Sequence, residues 1–499
     1  MSNKLFETED LKGDLKSKAI RGGVVTTIAQ IVKLGTQIVS NVVLARLLTP
    51  GDFGLVAMVS VVATFIVMFK DLGLSQATIQ SDKITHKQVS SLFWINLVFG
   101  LVVMALTMAI SIFIAEFYGR PELKNITIAL SIGLFVGGAT VQHQALLKRR
   151  MMYKSLAVTE IASMIFGVTV AIILAYLGFG YWSLIALQLA QALMTLTLVF
   201  FFTGWIPSLY LSFTDVRKML AFGGYMTIYS FVNYFARNLD TILIGWKWGA
   251  VPVGLYSRAY SLLLLPIAQV TSPFSGVAVP TLSRLQDDPI KYNQYYFKMV
   301  RIIAFISMPL IIIMAMLSHD IVVVILGDGW SEAAGIFKIL AFAAFWQPIA
   351  STVGWVYVSL GRVKRMMKWG FIGTSVMACF IILGLNDGAI GVAKYYSISM
   401  WMLILPIFFY AFSGTTLSVK ELIQSIKLPF INSFIMGCCF YVAQRYIIID
   451  NDLIRLLTVC AVGIILYLPI FIVMKPVREE FKSLYFAVYN RRKKEGGIE

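Results

Sequence analysis

Charge is what this sequence lacks most. Only 13% of its 499 residues are Asp, Glu, Lys or Arg, while 59% are hydrophobic. The charged share is about half that of an ordinary soluble domain, and no soluble core can absorb so much apolar surface. Cysteine is sparse as well: Cys379, Cys438, Cys439 and Cys460 all lie in apolar runs, and no two have metal-ligand spacing. They read as small packing residues, not as a disulfide framework or a zinc site. The three histidines, His86, His143 and His319, stand far apart, which argues against a histidine metal centre. Neither a G-x-x-x-x-G-K-[ST] loop nor an H-E-x-x-H pattern occurs, so neither P-loop ATP hydrolysis nor zinc chemistry is expected, and no cofactor is called for. Residues 1–20 have mixed charge and no apolar h-region, so the first helix is expected to direct insertion itself.

What is present is a series of long apolar runs, giving a mean hydropathy of +0.80. Each exceeds the ~18 residues that signal a membrane helix, whereas barrel strands would alternate in ~10-residue segments. The sequence predicts an all-α polytopic membrane protein with about fourteen spans, and the first six run 20–47, 53–80, 87–117, 122–147, 153–177 and 181–205. The remainder are 218–246, 251–284, 292–318, 333–360, 365–385, 388–413, 428–448 and 453–474. Connections are short and carry Pro or Gly, as in "TPGD", "YGRPE" and "GFGY". The longest aqueous segment is expected around Asp320 to Glu332, so no soluble domain is predicted.

The formal net charge is +17, which in a soluble protein would point to nucleic acid. Its distribution points elsewhere. Lys and Arg concentrate in alternate loops, among them "SDKITHK", "LKRRMMYK", "TDVRK", "GRVKRMMK" and the "RRKK" tail. That asymmetry predicts both termini in the cytoplasm. Contact with anionic membrane lipids is a second role for the same loops.

The chain also repeats itself at an offset of about 200 residues. "FGLVAM" at Phe53 stands opposite "VGLYSR" at Val253, each just after a proline, and "RGG" at Arg21 matches "FGG" at Phe222. Six spans separate the copies, so both have the same membrane orientation, a parallel repeat. The expected domains are a six-helix lobe at 1–205, a second at 206–413, and two further helices with a basic tail at 414–499.

Some cations fall within the spans, where a central one costs at least ~2.5–3.5 kcal/mol. Lys70, Lys338 and Lys394 lie toward helix ends and can snorkel; Lys298 is intermediate. Lys33, Arg237, Arg258 and Arg301 cannot do so easily. Asp240 and Arg258 are expected at one depth, each about ten Å from a shared outer turn. The first helices of the two lobes both show polar stripes: Gln30, Lys33, Gln37 and Asn41 on one, Asn233, Arg237 and Asp240 on the other. Steps of three and four put each stripe on one side. Two explanations stand: a buried charge lock, or a hydrophilic cleft for an anionic ligand. Asp240 alone cannot neutralise so many cations, which favours the ligand.

Several of these stretches carry a resemblance. "VVLARLLTPGDFGLVAM", "FKDLGLSQATIQ", "SSLFWINL", "ARNLDTILIG", "GLYSRAY" and "PTLSRLQDDP", in this order, are similar to Wzx-type polysaccharide-unit flippases, in the colanic-acid and teichuronic-acid exporter branch of the multidrug/oligosaccharidyl-lipid/polysaccharide exporter superfamily. The resemblance covers about residues 18–412. It implies two six-helix lobes around a cavity, alternating access across a bacterial inner membrane, and a substrate built on undecaprenyl diphosphate. Family motifs map onto Asp71, Arg237, Asp240 and Arg258, whereas Lys33 rests on its position alone.

The function expected is therefore a non-enzymatic flippase for lipid-linked oligosaccharide. Lys33, Gln37, Asn41, Arg237, Asp240, Arg258 and Arg301 are its candidate substrate-binding residues. A coupling ion and a polysaccharide polymerase stand as further candidate partners. A cation-coupled multidrug-type antiporter is the alternative, and would need net acid in the cavity. A polymerase or ligase would need a large outer loop, and none is expected.

Overall fold

The computed structural model describes residues 15–67, 84–210 and 238–444, together with a few isolated positions and short pieces between 454 and 465. The helices follow from the apolar runs, and their ends follow from local chemistry. Helix α1 is Leu15–Leu47 and α2 is Pro50–Val67. The "TPGD" between them is a cap. The Thr49 N–H and hydroxyl both donate to Asp52 Oδ2 (2.9 and 2.6 Å), and Pro50 at the first helical position needs no donor. Helix α3, His86–Tyr118, opens with the reciprocal Thr85–Gln88 box and stops at Gly119, whose φ is +63°. Then come α4 (Glu122–Arg149), α5 (Tyr153–Tyr176) and α6 (Trp182–Thr203). Residues 238–248 form the described end of the expected seventh span, most of which lies outside the described residues.

Contacts divide the chain into two compact units, Met1–Leu255 and Tyr256–Glu499. In the first, α3 packs on α4, α5 on α6, and α1 on α5. It also holds an aromatic cluster in which Phe93, Trp205, Phe200 and His143 meet edge-on or tilted. Arg149 is buried, and its guanidinium donates to the carbonyls of Thr78 (3.0 Å), Phe6 (3.4 Å) and Ser81.

The second unit holds most of α7 (Ala250–Arg284), then α8 (Pro289–Met316), α9 (Ser318–Leu326), α10 (Ser331–Ala344), α11 (Gln347–Ser351) and α12 (Val353–Ser359). Asp288 caps α8; the hydrogen bond from the Lys291 ammonium, then that from its backbone N–H, holds the Asp288 carboxyl below its ordinary pKa. The segment around Asp320 to Glu332 is helical and packed: Trp330 is buried, and so is Asp320, which accepts from Arg455 Nε at 3.0 Å and also from its Nη2. One expectation is corrected here. The span expected at 333–360 is not continuous but bends by 45° between Ala344 and Gln347. Pro348 has no N–H for the Ala344 carbonyl, so the helix breaks there.

Helices α13 (Val363–Gly384) and α14 (Gly388–Phe412) form one apolar stretch in sequence but a hairpin in space. Arg365 at the start of α13 donates to the carbonyls of Tyr410 and Ser413 at the end of α14, each at 2.8 Å. The turn is tight. A Cβ on Gly391 would lie 2.3 Å from the Gly384 carbonyl oxygen, so the helices can approach only as glycines. The last described helix, α15 (Val419–Gln444), packs on α8. Cys379, Cys438 and Cys439 are exposed on these helices, not packed inside.

Among the described residues, nine helical stretches are long and apolar enough to cross a membrane, and Val363–Phe412, counted as one of them, is the hairpin just described. The molecule is an all-α polytopic membrane protein.

Candidate functional site

The polar stripe of α1 survives folding, with one addition. Lys33 Nζ donates to Glu160 Oε2 of α5 at 2.7 Å, an ion pair whose side chains remain 31% and 51% exposed. Glu160, which was not among the expected site residues, is thus the acid that neutralises Lys33. The signal lay in the sequence, since Glu160 is the one acid of this 24-residue helix. Gln30 and Gln37 stay exposed one turn to either side, and Asn41 is half-buried. Lys33 thus lies at the edge of the α1–α5 contact with an exposed amide stripe beside it.

Arg237 and Asp71 lie outside the described residues. Asp240 is buried, and its Oδ1 accepts from the backbone N–H of Thr241 at 2.7 Å. Six residues before Asp240, Tyr234 Oη donates to the Val61 carbonyl of α2 at 2.8 Å. The helix ends at Gly249 (φ +83°), and α7 starts directly after it. Asp240 and Arg258 are equidistant in sequence from that glycine. Just past it, Ala250–Gly254 crosses Pro50–Gly54 at backbone contact.

Arg258 is half-buried on α7. Tyr256, Ala259, Leu263 and Ile267 make the buried stripe of that helix. At 100° per residue, Arg258 lies on the opposite face. The stripe side carries a polar cluster that sequence reasoning missed. Gln347, just after the bend, donates from Nε2 to Tyr260 Oη (3.0 Å) and Tyr396 Oη (3.3 Å), and the two hydroxyls are 3.2 Å apart. The residues come from three separated helices, and no spacing in the sequence announces them.

Arg301 is elsewhere on the second unit. With Lys298, Asn293 and Gln294 of α8 and Glu421, Gln424 and Ser425 of α15, it lines a recess of about 690 Å³. None of the other expected site residues lines that recess. The arrangement can receive an anion among cations and amides, and its Glu421 tempers the charge.

Comparison with known proteins agrees with this architecture. Residues 43–335, more than half of the chain, match the family described as "polysaccharide biosynthesis protein". The chain is 25% identical over 424 residues to the lipopolysaccharide biosynthesis protein WzxC of Escherichia coli (strain K12), covering 83% of this chain and 85% of that one. It is also 25% identical over 434 residues to the teichuronic acid biosynthesis protein TuaB of Bacillus subtilis (strain 168), covering 83% and 86%. Among solved structures, the inward closed conformation of the lipid II flippase MurJ shares the fold, with a TM-score of 0.71, 17% identity, and coverage of 90% of this chain and 98% of that one. A chain with this fold, matched over this length, belongs to the polysaccharide biosynthesis protein family.

Proposed function

We propose that this protein is a flippase: it moves oligosaccharide units linked to undecaprenyl diphosphate across a bacterial inner membrane by alternating access. The observation that carries the reading is a family shared with polysaccharide-biosynthesis proteins, on a fold shared with a lipid II flippase, combined with ionic side chains deep in membrane helices. A polar headgroup must pass through an apolar slab, and these residues supply its temporary solvent. Fourteen spans with both termini cytoplasmic, and lobes at 1–205 and 206–413, are part of the same reading. The crossing of Pro50–Gly54 with Ala250–Gly254 supports the lobes, because the two segments are equivalent under the 200-residue repeat.

In this scheme Arg237 and Arg258 grip the diphosphate, since a guanidinium fork matches phosphate oxygens in bidentate fashion. Asp240 orients them. Lys33 is held by Glu160 until a phosphate takes the carboxylate's place, and Gln37 and Asn41 offer amides to the sugar. Arg301 adds positive potential from α8. Rocking of the lobes then exposes the sugar outside while the lipid chain stays in the bilayer. The antiporter alternative needs surplus acid, and the pairing of Glu160 with Lys33 works against it.

The test is complementation of a strain lacking its own polysaccharide-unit flippase. Restored surface polymer, with no build-up of lipid-linked units on the cytoplasmic side, is the expected result. Well-folded protein that restores none would refute the reading.

A further inference from the structure

Helices α14 and α15 enclose a second recess, of about 740 Å³, on the other flank of Gln424. Its rim carries Lys420 and Lys427; its apolar lining includes Phe409, Phe412 and Ile423. The two lysines are seven residues apart, so they share one face of α15 about 10.5 Å apart along the axis. None of the ion pairs among the described residues involves either of them. Neighbouring cations are occupied differently. Arg362 and Arg365 donate to the Ser413, Gly414 and Tyr410 carbonyls and so cap α14. Glu421, next to Lys420 in sequence, lines the recess against α8 instead.

The apolar side of this recess opens onto the membrane face. Phe409 is 61% exposed and Ile423 47% exposed, both on helices apolar enough to span the bilayer. Two ammonium groups with no ion-pair partner among the described residues, above exposed aromatic and aliphatic side chains, match one ligand chemistry: a phosphodiester with acyl chains attached. Lys420 stands near the start of α15, and the deeper Lys427 can snorkel toward the same phosphate. From this geometry we infer that the α14–α15 recess is a binding site for an anionic phospholipid of the surrounding membrane. The inference does not depend on the transported substrate.

The site is tested with the full-length protein in neutral detergent, by native mass spectrometry with added phosphatidylglycerol or phosphatidylcholine. Each lysine near a membrane surface is worth about 1 kcal/mol, or roughly fivefold in affinity, so Lys420→Gln with Lys427→Gln should weaken phosphatidylglycerol binding on the order of 25-fold. Lys420→Arg with Lys427→Arg should retain it, which separates lost charge from a damaged fold. Equal binding of the two lipids would overturn the proposal, as would phosphatidylglycerol binding that ignores the glutamine changes. Competition by millimolar inorganic phosphate would make this a soluble-anion site, and preference for a polyprenyl diphosphate would make it part of the transport path. Either result overturns the proposal as well.

Discussion

Gly54 and Gly254 are in reciprocal contact with each other's segments. A Cβ on Gly54 would lie 1.8 Å from the Ala250 carbonyl oxygen, and a Cβ on Gly254 would lie 1.8 Å from that of Pro50. Both pairs are separated by the repeat offset, so this is a self-complementary contact of the kind that a twofold axis generates. Only glycine allows backbones to approach this closely. Gly54→Val or Gly254→Val should therefore force the crossing apart. Gly51 faces Val251 at the same place, with 3.5 Å from a Cβ on Gly51 to Val251 Cγ2. Cysteines placed at 51 and 251, in a chain cleared of its native cysteines, should link readily through a short thiol cross-linker. That yield should collapse in either valine variant. Unchanged linking would show that the glycines do not hold the crossing.

The Lys33–Glu160 pair makes a second prediction. Lys33→Gln strands a carboxylate, and Glu160→Gln strands an ammonium, so each single change should lower thermal stability. The double change should cost less than the sum, by about 0.5–1 kcal/mol, because both side chains are partly exposed. Exchanging the two charges should restore stability without restoring transport, if Lys33 also meets the diphosphate. Strict additivity in the melting data would mean that the pair does not interact in the membrane.

Topology is tested by reporter fusions. Fusions after Gly180 and Gly388 should report the outside, and those after Lys154 and Arg365 the cytoplasm. One reporter on the wrong side breaks the lobe assignment.

The apolar helices were legible because they depend on short-range signals: apolar length, and Pro and Gly at turns. The packing around Asp320 was not legible, because its acid meets the remote Arg455 only through folding. The break before Gln347 was signalled by Pro348, but an unbroken apolar run masked it. Of the site, the stripe through Lys33, Gln37 and Asn41 was readable from helical spacing. Its partner Glu160 lies 127 residues away, and the Tyr260–Gln347–Tyr396 cluster joins three helices; only folding brings such residues together.

For the two arginines, the fork geometry separates ligand binding from a structural lock. Arg237→Lys and Arg258→Lys keep the charge but lose the bidentate grip. Protein levels in the membrane should stay near normal while surface polymer falls severalfold in a strain lacking its native flippase. Polymer that falls only as protein falls would reduce both arginines to scaffolding.

The central claim is tested most directly in vesicles. Purified protein reconstituted with an undecaprenyl-diphosphate-linked oligosaccharide on the inner leaflet is mixed with a membrane-impermeant glycosidase, and sugar release is followed in time. The account predicts protein-dependent release well above that from protein-free vesicles, slowed strongly by Arg258→Lys. Folded, reconstituted protein that releases no more sugar than empty vesicles would contradict it.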